Sequence, residues 1–362
     1  MNILQLSKHM KDSGVNSHII QLSRILTLKE HNVIVVSSGG PHVKELESNG
    51  IRHIHIPFIT KNPIIALKNL FNLIRIIRRE GIDIAHTHWR STGLYIKLSS
   101  ILTGIDFVWS NHLNQIPSSW LYRIFTFSGK GALTVSSDML PMLHERLKIP
   151  RSNSHVVFNG VNSEQYIQYS VERKYEIKEL YKIKDHKVIC LLGRLSRVKG
   201  HLYLLESLGN MIKNSDIDIS QFKVLFTGDG PGEYKNEIIQ KAKSLGLIEN
   251  IVFTGYVNPV DILNISDLMV LPSQNEGFPI VCVEAFAMKV PVIRSKTGGY
   301  SDMKDYCIGI DYGDSKALSE SIYDILTNES KVAEMVNEAY CFYKENLTSE
   351  KMTEKVIKIY NE

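Results

Sequence analysis

The chain has 362 residues, which is too many for one ordinary hydrophobic core and suits two domains of similar size. It is 43% hydrophobic and 22% charged and lacks a low-complexity tract, a composition that excludes a disordered or fibrous protein. The net charge of +4 conceals an asymmetry: residues 1–165 carry 18 Lys+Arg against 10 Asp+Glu, or +8, and the remainder carries 24 against 28, or −4. Basic residues do not alternate with aromatic ones in a compact patch, so we expect no nucleic-acid partner.

The first residues, MNILQLSKHM, resemble a strand rather than a signal peptide, and no apolar run reaches the length of a membrane-spanning helix. The four cysteines are scattered and predict buried, unpaired thiols: Cys190, Cys282, Cys307 and Cys341. These features predict a cytoplasmic location. The basic first half also suits contact with an anionic surface, such as the inner face of a cell membrane, or with an anionic acceptor.

Short β-branched runs alternate with amphipathic helical stretches, the pattern of parallel sheets covered by helices. The strand candidates of the first half are NILQL, NVIVVS, RHIHIP, IDIAH, DFVWS, GALTV and HVVF. Those of the second half are KVICLLG, FKVLFTG, NIVFTG, DLMVLP, VPVIRS and CIGID. The charged segment 163–186 separates the two sets. We predict an α/β fold with two doubly wound, Rossmann-like domains that face each other across a cleft, where ligands of open α/β sheets bind. The predicted domains are 1–163, 164–346 and a C-terminal helix, 347–362, that returns to the first domain.

The segment 62–80, NPIIALKNLFNLIRIIRRE, predicts a helix that begins after Pro63. Its apolar residues recur at helical spacing, so packing against a sheet accounts for the pattern by itself. The members of this stripe are Ile64, Leu67, Leu70, Phe71, Ile74 and Ile77. Additional apolar residues and four cations also suit a helix that lies in a membrane interface. The aromatic and basic segment 118–130 is a second candidate for membrane contact, and both interpretations stay open.

The first strand is followed by KDSGVNSHIIQLSRIL, in which a helix begins near Gly14. A glycine there permits close approach of the backbone to a phosphate or sugar, with helix amides behind it.

IDIAHTHWRS places His86 and His88 on one face of a strand end. A metal site would need a third ligand, and no acidic or cysteine cluster nearby supplies one, so we predict no metal. The alternative is one buried histidine and one that faces the cleft. Trp89 and Arg90 suit recognition of an acceptor sugar or phosphate, and they equally suit covering the next helix.

FVWSNHLNQ ends the next strand and places His112 among amide side chains. Asn111 and Asn114 have the chemistry to hydrogen-bond sugars, and the sequence does not choose between them. His112 is either part of the site or a histidine satisfied in the core.

In the second half, GRLSRVKG, 193–200, follows a strand. Gly193 allows a sharp turn, and Arg194 and Lys199 offer two cations suited to a diphosphate. A solvated basic loop is the alternative, which the strand-end position and flanking glycines disfavour. TGDGPGE, 227–233, also follows a strand but lacks the GxGxxG spacing of a dinucleotide site.

QNEGFPIVCVE, 274–284, follows another strand and enters a helix. Pro279 lies near the first helical position, where its missing N–H costs nothing. The exposed amides of Gly277 and Phe278 then form an anion or hydroxyl site, which the helix dipole reinforces.

The two glutamates of this segment, Glu276 and Glu284, resemble a glycosidase pair at first sight. Eight helical steps of about 1.5 Å separate their backbones by roughly 12 Å, more than the about 5–9.5 Å between the carboxylates of such a pair. Two separate hydroxyl-binding carboxylates are the more natural interpretation.

Together these motifs resemble the retaining family-4 glycosyltransferases of the GT-B fold, over nearly the whole chain and including VVFNGVNSEQY at the domain junction. The E-x7-E pattern with GFP after the first glutamate is the most specific of them. The resemblance implies that Arg194 and Lys199 hold the donor diphosphate. It implies that Glu276 and the following amides contact donor-sugar hydroxyls, and that Glu284 binds the ribose.

The resemblance further implies that His112 lies near the anomeric carbon. The family usually has two glycines where this chain has Ser13 and Gly14. KTGGYSD, 296–302, matches a family glycine pair, but Asp302 departs from the usual Pro-Glu, and no role is carried over to it. The assigned catalytic residues are His112, Glu276, Arg194 and Lys199. The assigned donor-binding residues are Gly14, Arg194, Lys199, Gly277, Phe278, Pro279 and Glu284. The acceptor candidates are His88, Trp89, Arg90 and Asn111.

The predicted enzyme is a hexosyltransferase that needs neither metal nor cofactor, because cations and a helix N-terminus can stabilise the leaving diphosphate. The resemblance implies front-face attack, a UDP-sugar donor, and an oligosaccharide or lipid-linked acceptor such as a lipopolysaccharide core. A nucleotide-sugar epimerase on the same fold is an alternative, and would form product without an acceptor. A non-catalytic nucleotide-sugar-binding subunit is another. A nicotinamide dehydrogenase is disfavoured because GxGxxG is missing after the first strand.

Overall fold

The structure is a computed structural model that describes residues 1–11, 13–113, 120–214 and 218–362. The chain divides into two compact units, residues 1–160 with 347–362, and residues 161–346. Each unit contains one parallel sheet covered by helices, so the predicted α/β class with two Rossmann-like domains is confirmed.

The strands of the first unit are β1 (Asn2–Leu6), β2 (Asn32–Ser37), β3 (Arg52–His55), β4 (Ile84–Thr87), β5 (Asp106–Asn111), β6 (Gly131–Thr134) and β7 (Ser154–Val156). Its helices are α1 (Gly14–Leu28), α2 (Val43–Ser48), α3 (Pro63–Arg79), α4 (Arg90–Thr103) and α5 (Trp120–Ile124). The sheet order is β3-β2-β1-β4-β5-β6-β7. The chain reverses its winding between β1 and β4, which pair directly, and this switch is where ligands of such sheets bind.

The strands of the second unit are β8 (Lys187–Leu192), β9 (Phe222–Thr227), β10 (Ile251–Gly255), β11 (Leu268–Leu271), β12 (Val292–Ser295) and β13 (Ile308–Ile310). Its helices are α6 (Val171–Leu180), α7 (His201–Asn214), α8 (Gly232–Ser244), α9 (Pro259–Asn264), α10 (Ile280–Ala287), α11 (Ser315–Thr327) and α12 (Glu329–Asn346). The order β10-β9-β8-β11-β12-β13 places the switch between β8 and β11. All thirteen strand candidates are therefore strands, because each combines a buried apolar run with flanking turn residues.

The C-terminal helix α13 (Ser349–Asn361) belongs to the first unit. Thr348 caps it by accepting a hydrogen bond from the Lys351 amide, at 3.2 Å. Its apolar face joins the core that surrounds α1 and β1, and Tyr360 is 4% exposed within that core.

Helix α3 buries only part of the apolar stripe that packing against a sheet would explain. Asn62 accepts hydrogen bonds from the Ile64 and Ile65 amides and starts the helix, as expected for an N-cap before proline. The second half buries Leu73, Ile74 and Ile77, but Ile64, Leu67 and Phe71 are 77%, 54% and 56% exposed. The first two turns thus extend beyond the surface that the sheet covers.

The sequence predicted no membrane-spanning helix and four buried, unpaired cysteines. None of the helices within the described ranges combines the length and apolarity that a membrane span requires. Cys190, Cys282 and Cys307 are buried free thiols, as predicted, whereas Cys341 is exposed on α12, which corrects the expectation for that residue.

Candidate active site

In the second unit, the loops that follow β8 and β9 pack directly on each other. Leu195 donates its amide hydrogen bond to the Asp229 carbonyl at 2.9 Å. Gly228 has a φ of +132°, and a Cβ there would overlap the Gly193 carbonyl oxygen. Gly230 approaches the Leu195 carbonyl just as closely. Gly228 and Gly230 therefore support the loop that carries Arg194 and Lys199.

Gly200 packs this loop against the end of β11, the strand on the other side of the topological switch. Its φ is +80°, and a Cβ would overlap the carbonyl oxygen of Pro272, the residue after β11. Any side chain there meets both left-handed backbone strain and a fixed carbonyl.

We expect Gly200→Ala to lower the free energy of unfolding by about 2 kcal/mol. Gly232→Ala is the matched control, because a Cβ there meets nothing within 4 Å and Gly232 begins α8 with ordinary helical backbone. That control should be neutral or up to about 1 kcal/mol more stable. Urea unfolding of both variants measures the difference, and equal stability would show that the close approach is not constraining.

The side chains of Lys199 and Glu276 form an ion pair across the switch. Lys199 Nζ donates to Glu276 Oε1 at 2.7 Å, and the two side chains are 25% and 11% exposed. The sequence predicted both residues for the site but not their contact. The pair joins the loop after β8 to the loop after β11, so a partly buried cation and carboxylate lie side by side.

Arg194 lies in the same loop, and its side chain is exposed. Within the described parts of the chain it has no ion-pair partner, so its guanidinium is available to an anion. Arg197, three residues further, instead pairs with Glu237 at 2.7 Å. Of the two arginines in GRLSRVKG, the predicted one is the one left open to a ligand.

The loop 277–279 leads into α10, which begins at Ile280 with Pro279 as its N-cap. Phe278 is 4% exposed and packs beneath Gly299, where a Cβ would crowd the Phe278 ring and the Gly277 carbonyl. Pro279 thus lies one position earlier than predicted, and the helix N-terminus still directs its unpaired amides to this loop.

Arg294 is a buried residue of this site that sequence reasoning missed. It is 0% exposed at the end of β12, and its Nη2 donates to the carbonyls of Thr297 at 3.3 Å and Gly298 at 2.7 Å. The guanidinium therefore holds the turn that brings Gly299 against Phe278. The signal available in the sequence was an arginine inside an otherwise apolar strand, VPVIRS.

Glu284 lies on α10 beside Tyr166, the tyrosine of NSEQY. Burial raises the pKa of the Glu284 carboxyl to about 7, and the hydrogen bond that the Tyr166 hydroxyl donates to it opposes part of this increase. Burial and the neighbouring Glu284 also raise the pKa of Tyr166 well above its usual value. When it is ionised, this carboxylate can accept charge-assisted hydrogen bonds from the hydroxyl groups of a ligand.

The raised pKa of Glu284 gives stability a defined pH dependence. Between about pH 4.5 and 7 the unfolded chain ionises this carboxyl while the folded chain keeps it protonated, so wild-type stability falls across that window. Glu284→Gln removes the ionisation, and its stability relative to wild type should therefore increase from pH 5 to pH 8. Urea unfolding at both pH values tests this, with the exposed Glu320→Gln as control. A difference that is independent of pH would contradict the raised pKa.

In the first unit, Gly14 is the first residue of α1, and Ser13 is its N-cap. Ser13 Oγ accepts the Asn16 amide at 3.3 Å. The serine that replaces the first of two expected glycines therefore stabilises the helix start, where Gly14 leaves the backbone unobstructed.

A buried hydrogen-bond network follows β4 and β5. Tyr360 from α13 accepts from Gln5 Nε2 at 3.2 Å, and its hydroxyl lies within hydrogen-bond distance of His86 Nδ1, at 2.7 Å. His86 Nε2 lies 2.7 Å from Ser110 Oγ, and His88 Nε2 donates to Gln5 Oε1 at 2.7 Å. These contacts leave Nδ1 of His88 as an acceptor. Both histidines are buried, with exposed fractions of 0% for His86 and 3% for His88.

His112 lies beside this network and is partly exposed. Its Nε2 lies 3.2 Å from His88 Nδ1, and its ring centroid lies 4.9 Å from that of His18 on α1. His18, which the sequence analysis did not single out, supplies the third imidazole whose absence was the reason for predicting no metal. That reason no longer holds, because helix α1 brings the third ligand from a distant part of the chain.

The remaining acceptor candidates are occupied by local contacts. Arg90 Nε donates to Thr126 Oγ1, and its Nη2 donates to the Tyr122 carbonyl, both at 2.8 Å. Trp89 Nε1 donates to Ser7 Oγ at 3.2 Å. Asn111 Nδ2 donates to the Leu113 carbonyl at 3.0 Å and so closes a turn. These contacts favour a packing role for all three side chains. Asn114, Ser118 and Ser119 lie outside the described residues.

Two family profiles cover most of the chain. Residues 172–342 match the family described as "Glycosyl transferases group 1", and residues 13–165 match "Glycosyltransferase Family 4". The match at 172–342 lies within the second unit, and the match at 13–165 covers most of the first unit. Together they contain every residue that the sequence assigned to the site.

Individual relatives agree with these matches. The chain is 24% identical to the N-acetyl-alpha-D-glucosaminyl L-malate synthase of Bacillus anthracis, over 94% of this chain and 91% of the relative. It is 24% identical to the UDP-Gal:alpha-D-GlcNAc-diphosphoundecaprenol alpha-1,3-galactosyltransferase of Escherichia coli, over 79% and 77%. Among solved structures, a glycosyltransferase from Rickettsia africae superposes with a TM-score of 0.90 at 26% identity, over 99% of this chain and 97% of that one.

Proposed function

Since the chain belongs to the family-4 glycosyltransferases of the GT-B fold, we propose that this hexosyltransferase moves a sugar, with retention, from a UDP-sugar to a glycan or lipid-linked acceptor of a bacterial surface polysaccharide. The observation that carries the proposal is the Lys199–Glu276 pair at the switch between β8 and β11. A cation for a phosphate and a carboxylate for sugar hydroxyls are side by side there, which is the chemistry that a nucleotide sugar requires.

The donor is assigned to the second unit. Arg194 and Lys199 bind the diphosphate, and the α10 N-terminus adds a positive dipole end. Glu276 accepts hydrogen bonds from the sugar hydroxyls, together with the Gly277 and Phe278 amides as donors. Glu284 accepts hydrogen bonds from the ribose hydroxyls, which offset part of the desolvation that raises its pKa.

The acceptor is assigned to the first unit. Gly14 and His112 of that unit are assigned to contact the sugar that is transferred. The acceptor oxygen attacks the anomeric carbon on the face from which the diphosphate departs. The bond from that carbon to the phosphate oxygen breaks, and the acceptor proton passes to the departing phosphate. Lys199, Arg194 and the helix N-terminus stabilise the charge that develops on the diphosphate, so the transfer needs no metal in this scheme.

The UDP assignment is supported by the Escherichia coli relative, whose name specifies a UDP-galactose donor and a diphosphoundecaprenol-linked acceptor. The Bacillus anthracis relative is named for an L-malate product. A short hydroxy acid therefore belongs in the acceptor screen beside lipid-linked sugars.

Thermal-shift screening of UDP-, GDP-, ADP- and TDP-sugars tests the proposal first. We expect UDP-sugars to raise Tm and the other nucleotides to have little effect. The best donor is then incubated with lipid-linked sugars, oligosaccharides and L-malate, and UDP release is measured. Flat thermal responses to every nucleotide sugar would contradict the proposal. Product formation without an acceptor would identify an epimerase instead.

A lipid-linked acceptor also requires access to a membrane surface, and we propose that the start of α3 provides it. Ile64, Leu67 and Phe71 form an exposed apolar surface, and Lys68 and Arg75 lie exposed beside them. Apolar side chains flanked by cations match the interface of an anionic bilayer.

The triple variant Ile64→Ser, Leu67→Ser, Phe71→Ser should lose roughly tenfold in binding to phosphatidylglycerol vesicles, because it removes the apolar surface while it keeps the cations. Co-sedimentation measures the bound fraction. The control is Val171→Ser with Leu180→Ser, which removes two exposed apolar side chains from the second unit. Equal vesicle binding by wild type and the triple variant would exclude this surface as the contact.

A further inference from the structure

The imidazoles of His18, His88 and His112 converge on one point in the first unit. One ring nitrogen of each lies within 4.8 Å of the corresponding nitrogens of the other two. The shortest separation is the 3.2 Å between His88 Nδ1 and His112 Nε2. Three nitrogens around a tetrahedral Zn²⁺ lie about 3.4 Å apart at the usual bond length, so small side-chain rotations close the group onto one ion.

Hydrogen bonds at the opposite ring nitrogens already fix the tautomers of two of these histidines. His88 Nε2 donates to Gln5 Oε1 at 2.7 Å, which leaves its Nδ1 lone pair directed at the centre. His18 Nδ1 lies 2.9 Å from Asn159 Oδ1 and donates to it, which leaves the Nε2 lone pair. A metal-binding histidine usually donates its other N–H to an oxygen in the same way.

His18 Nε2 is a buried acceptor that has no hydrogen-bond partner among the described residues. A buried polar atom of this kind costs free energy unless a ligand uses it. Within this group of three histidines, the only hydrogen-bond contact of His88 Nδ1 is with His112. The centre of the group thus contains more acceptor lone pairs than N–H donors. A bound cation would give the unpaired lone pair a partner.

Burial lowers the pKa of His18 to about 4 and lowers those of His88 and His112 well below their usual value, and the neighbouring histidines contribute to the decrease in the last two.

We propose that His18, His88 and His112 form a binding site for a divalent transition-metal ion of the Zn²⁺ class, and that an ion bound there withdraws His112 from the transferred sugar. An all-imidazole set suits Zn²⁺, Co²⁺ or Ni²⁺ and does not suit Mg²⁺, which prefers oxygen ligands. His112 moves its hydrogen from Nε2 to Nδ1 through exchange with water, and a water molecule completes the coordination. The site therefore inhibits rather than assists the transfer, and this last consequence rests on the proposed function.

Titration of the EDTA-treated full chain with Co²⁺ tests the site without any activity measurement. We expect one Co²⁺ to bind per chain and to show the intense visible absorption of tetrahedral Co²⁺. One equivalent of Zn²⁺ should displace the bound Co²⁺. His18→Leu should weaken the affinity at least tenfold, and Asn159→Leu, which removes the hydrogen-bond partner of His18 Nδ1, by about tenfold. His55→Gln removes an exposed histidine outside the group and should leave the affinity unchanged.

Circular dichroism establishes that each variant folds, and the Asn159 variant provides the comparison if His18→Leu does not. Absence of tetrahedral absorption in wild type would overturn the site, as would equal Co²⁺ affinity in all three variants. In a separate arm, UDP release is measured with and without Zn²⁺. Inhibition at the concentrations that displace Co²⁺ supports the role of His112, and full activity of the Zn²⁺-loaded chain overturns that role while leaving the site intact. UDP-sugar binding in the thermal-shift screen tests the proposed function separately. Loss of that binding would contradict the proposed function, whatever the results for Co²⁺ affinity and Zn²⁺ inhibition.

Discussion

Glu276→Gln should lower kcat by about 10²–10³-fold, the loss typical of removing one charged or polar group that stabilises the transition state. The amide keeps the shape of the side chain but loses the negative charge and replaces one of the two acceptor oxygens that we assign to the sugar hydroxyls with an NH2 donor. It also breaks the 2.7 Å pair with Lys199, so the cation is no longer held in position. Steady-state kinetics with the donor identified by the screen measures the effect.

Binding of UDP alone separates this role from simple damage. Glu276→Gln should bind UDP at least as tightly as wild type, because it removes a negative charge beside the diphosphate site. Glu320→Gln, an exposed carboxylate on α11 that pairs weakly with Lys316 at 3.8 Å, is the matched control and should retain full activity. Near-normal kcat in Glu276→Gln would contradict the assigned role, and loss of UDP binding would point to a structural one.

Lys199→Met should lower kcat by about 10²-fold or more. Its effect on UDP binding should be opposite to that of Glu276→Gln. In the proposed mechanism the ammonium group stabilises charge that grows on the diphosphate as the sugar departs, so its removal should affect the transition state more than the bound donor. UDP binding should weaken in this variant, whereas it is kept in Glu276→Gln. Lys199→Arg retains the charge but not the compact geometry and should be intermediate.

Lys241→Met is the control for Lys199. Lys241 also forms a 2.8 Å ion pair in the second unit, but with the half-exposed Glu206 on the surface, where such pairs contribute little. It should leave both kcat and UDP binding unchanged. The double variant Lys199→Met, Glu276→Gln should be less impaired than the product of the single effects, because each single change already breaks the pair. Independent effects would show that the two residues act separately.

The sequence was most informative where local chemistry suffices. Strands such as NVIVVS and KVICLLG have the β-branched, apolar composition of buried parallel strands, and they are found at the predicted residues. Lys199 and Glu276 were identified because each follows a strand, and parallel strands of one sheet end at the same edge. Their direct contact was not predicted, since adjacency depends on sheet order, in which β8 lies beside β11.

The histidine group shows the opposite case. His86 and His88 were visible from spacing alone, but His18 comes from α1, and its hydrogen-bond partner Asn159 lies 141 positions further along the chain. Tyr360 reaches His86 from the last helix. No local pattern encodes such contacts, because they depend on which helix covers the β1–β4 switch.

Sequence by itself thus determined the number and type of the strands, the domain class and the side chains that carry charge to the strand ends, because these follow from periodicity and turn chemistry within about ten residues. Tertiary structure decided which of those side chains meet. It paired Lys199 with Glu276, left Arg194 open, exposed the first turns of α3 and brought three imidazoles together around one point. The physical reason is that burial and pairing are properties of packed surfaces, and packing brings together residues whose separation along the chain carries no signal.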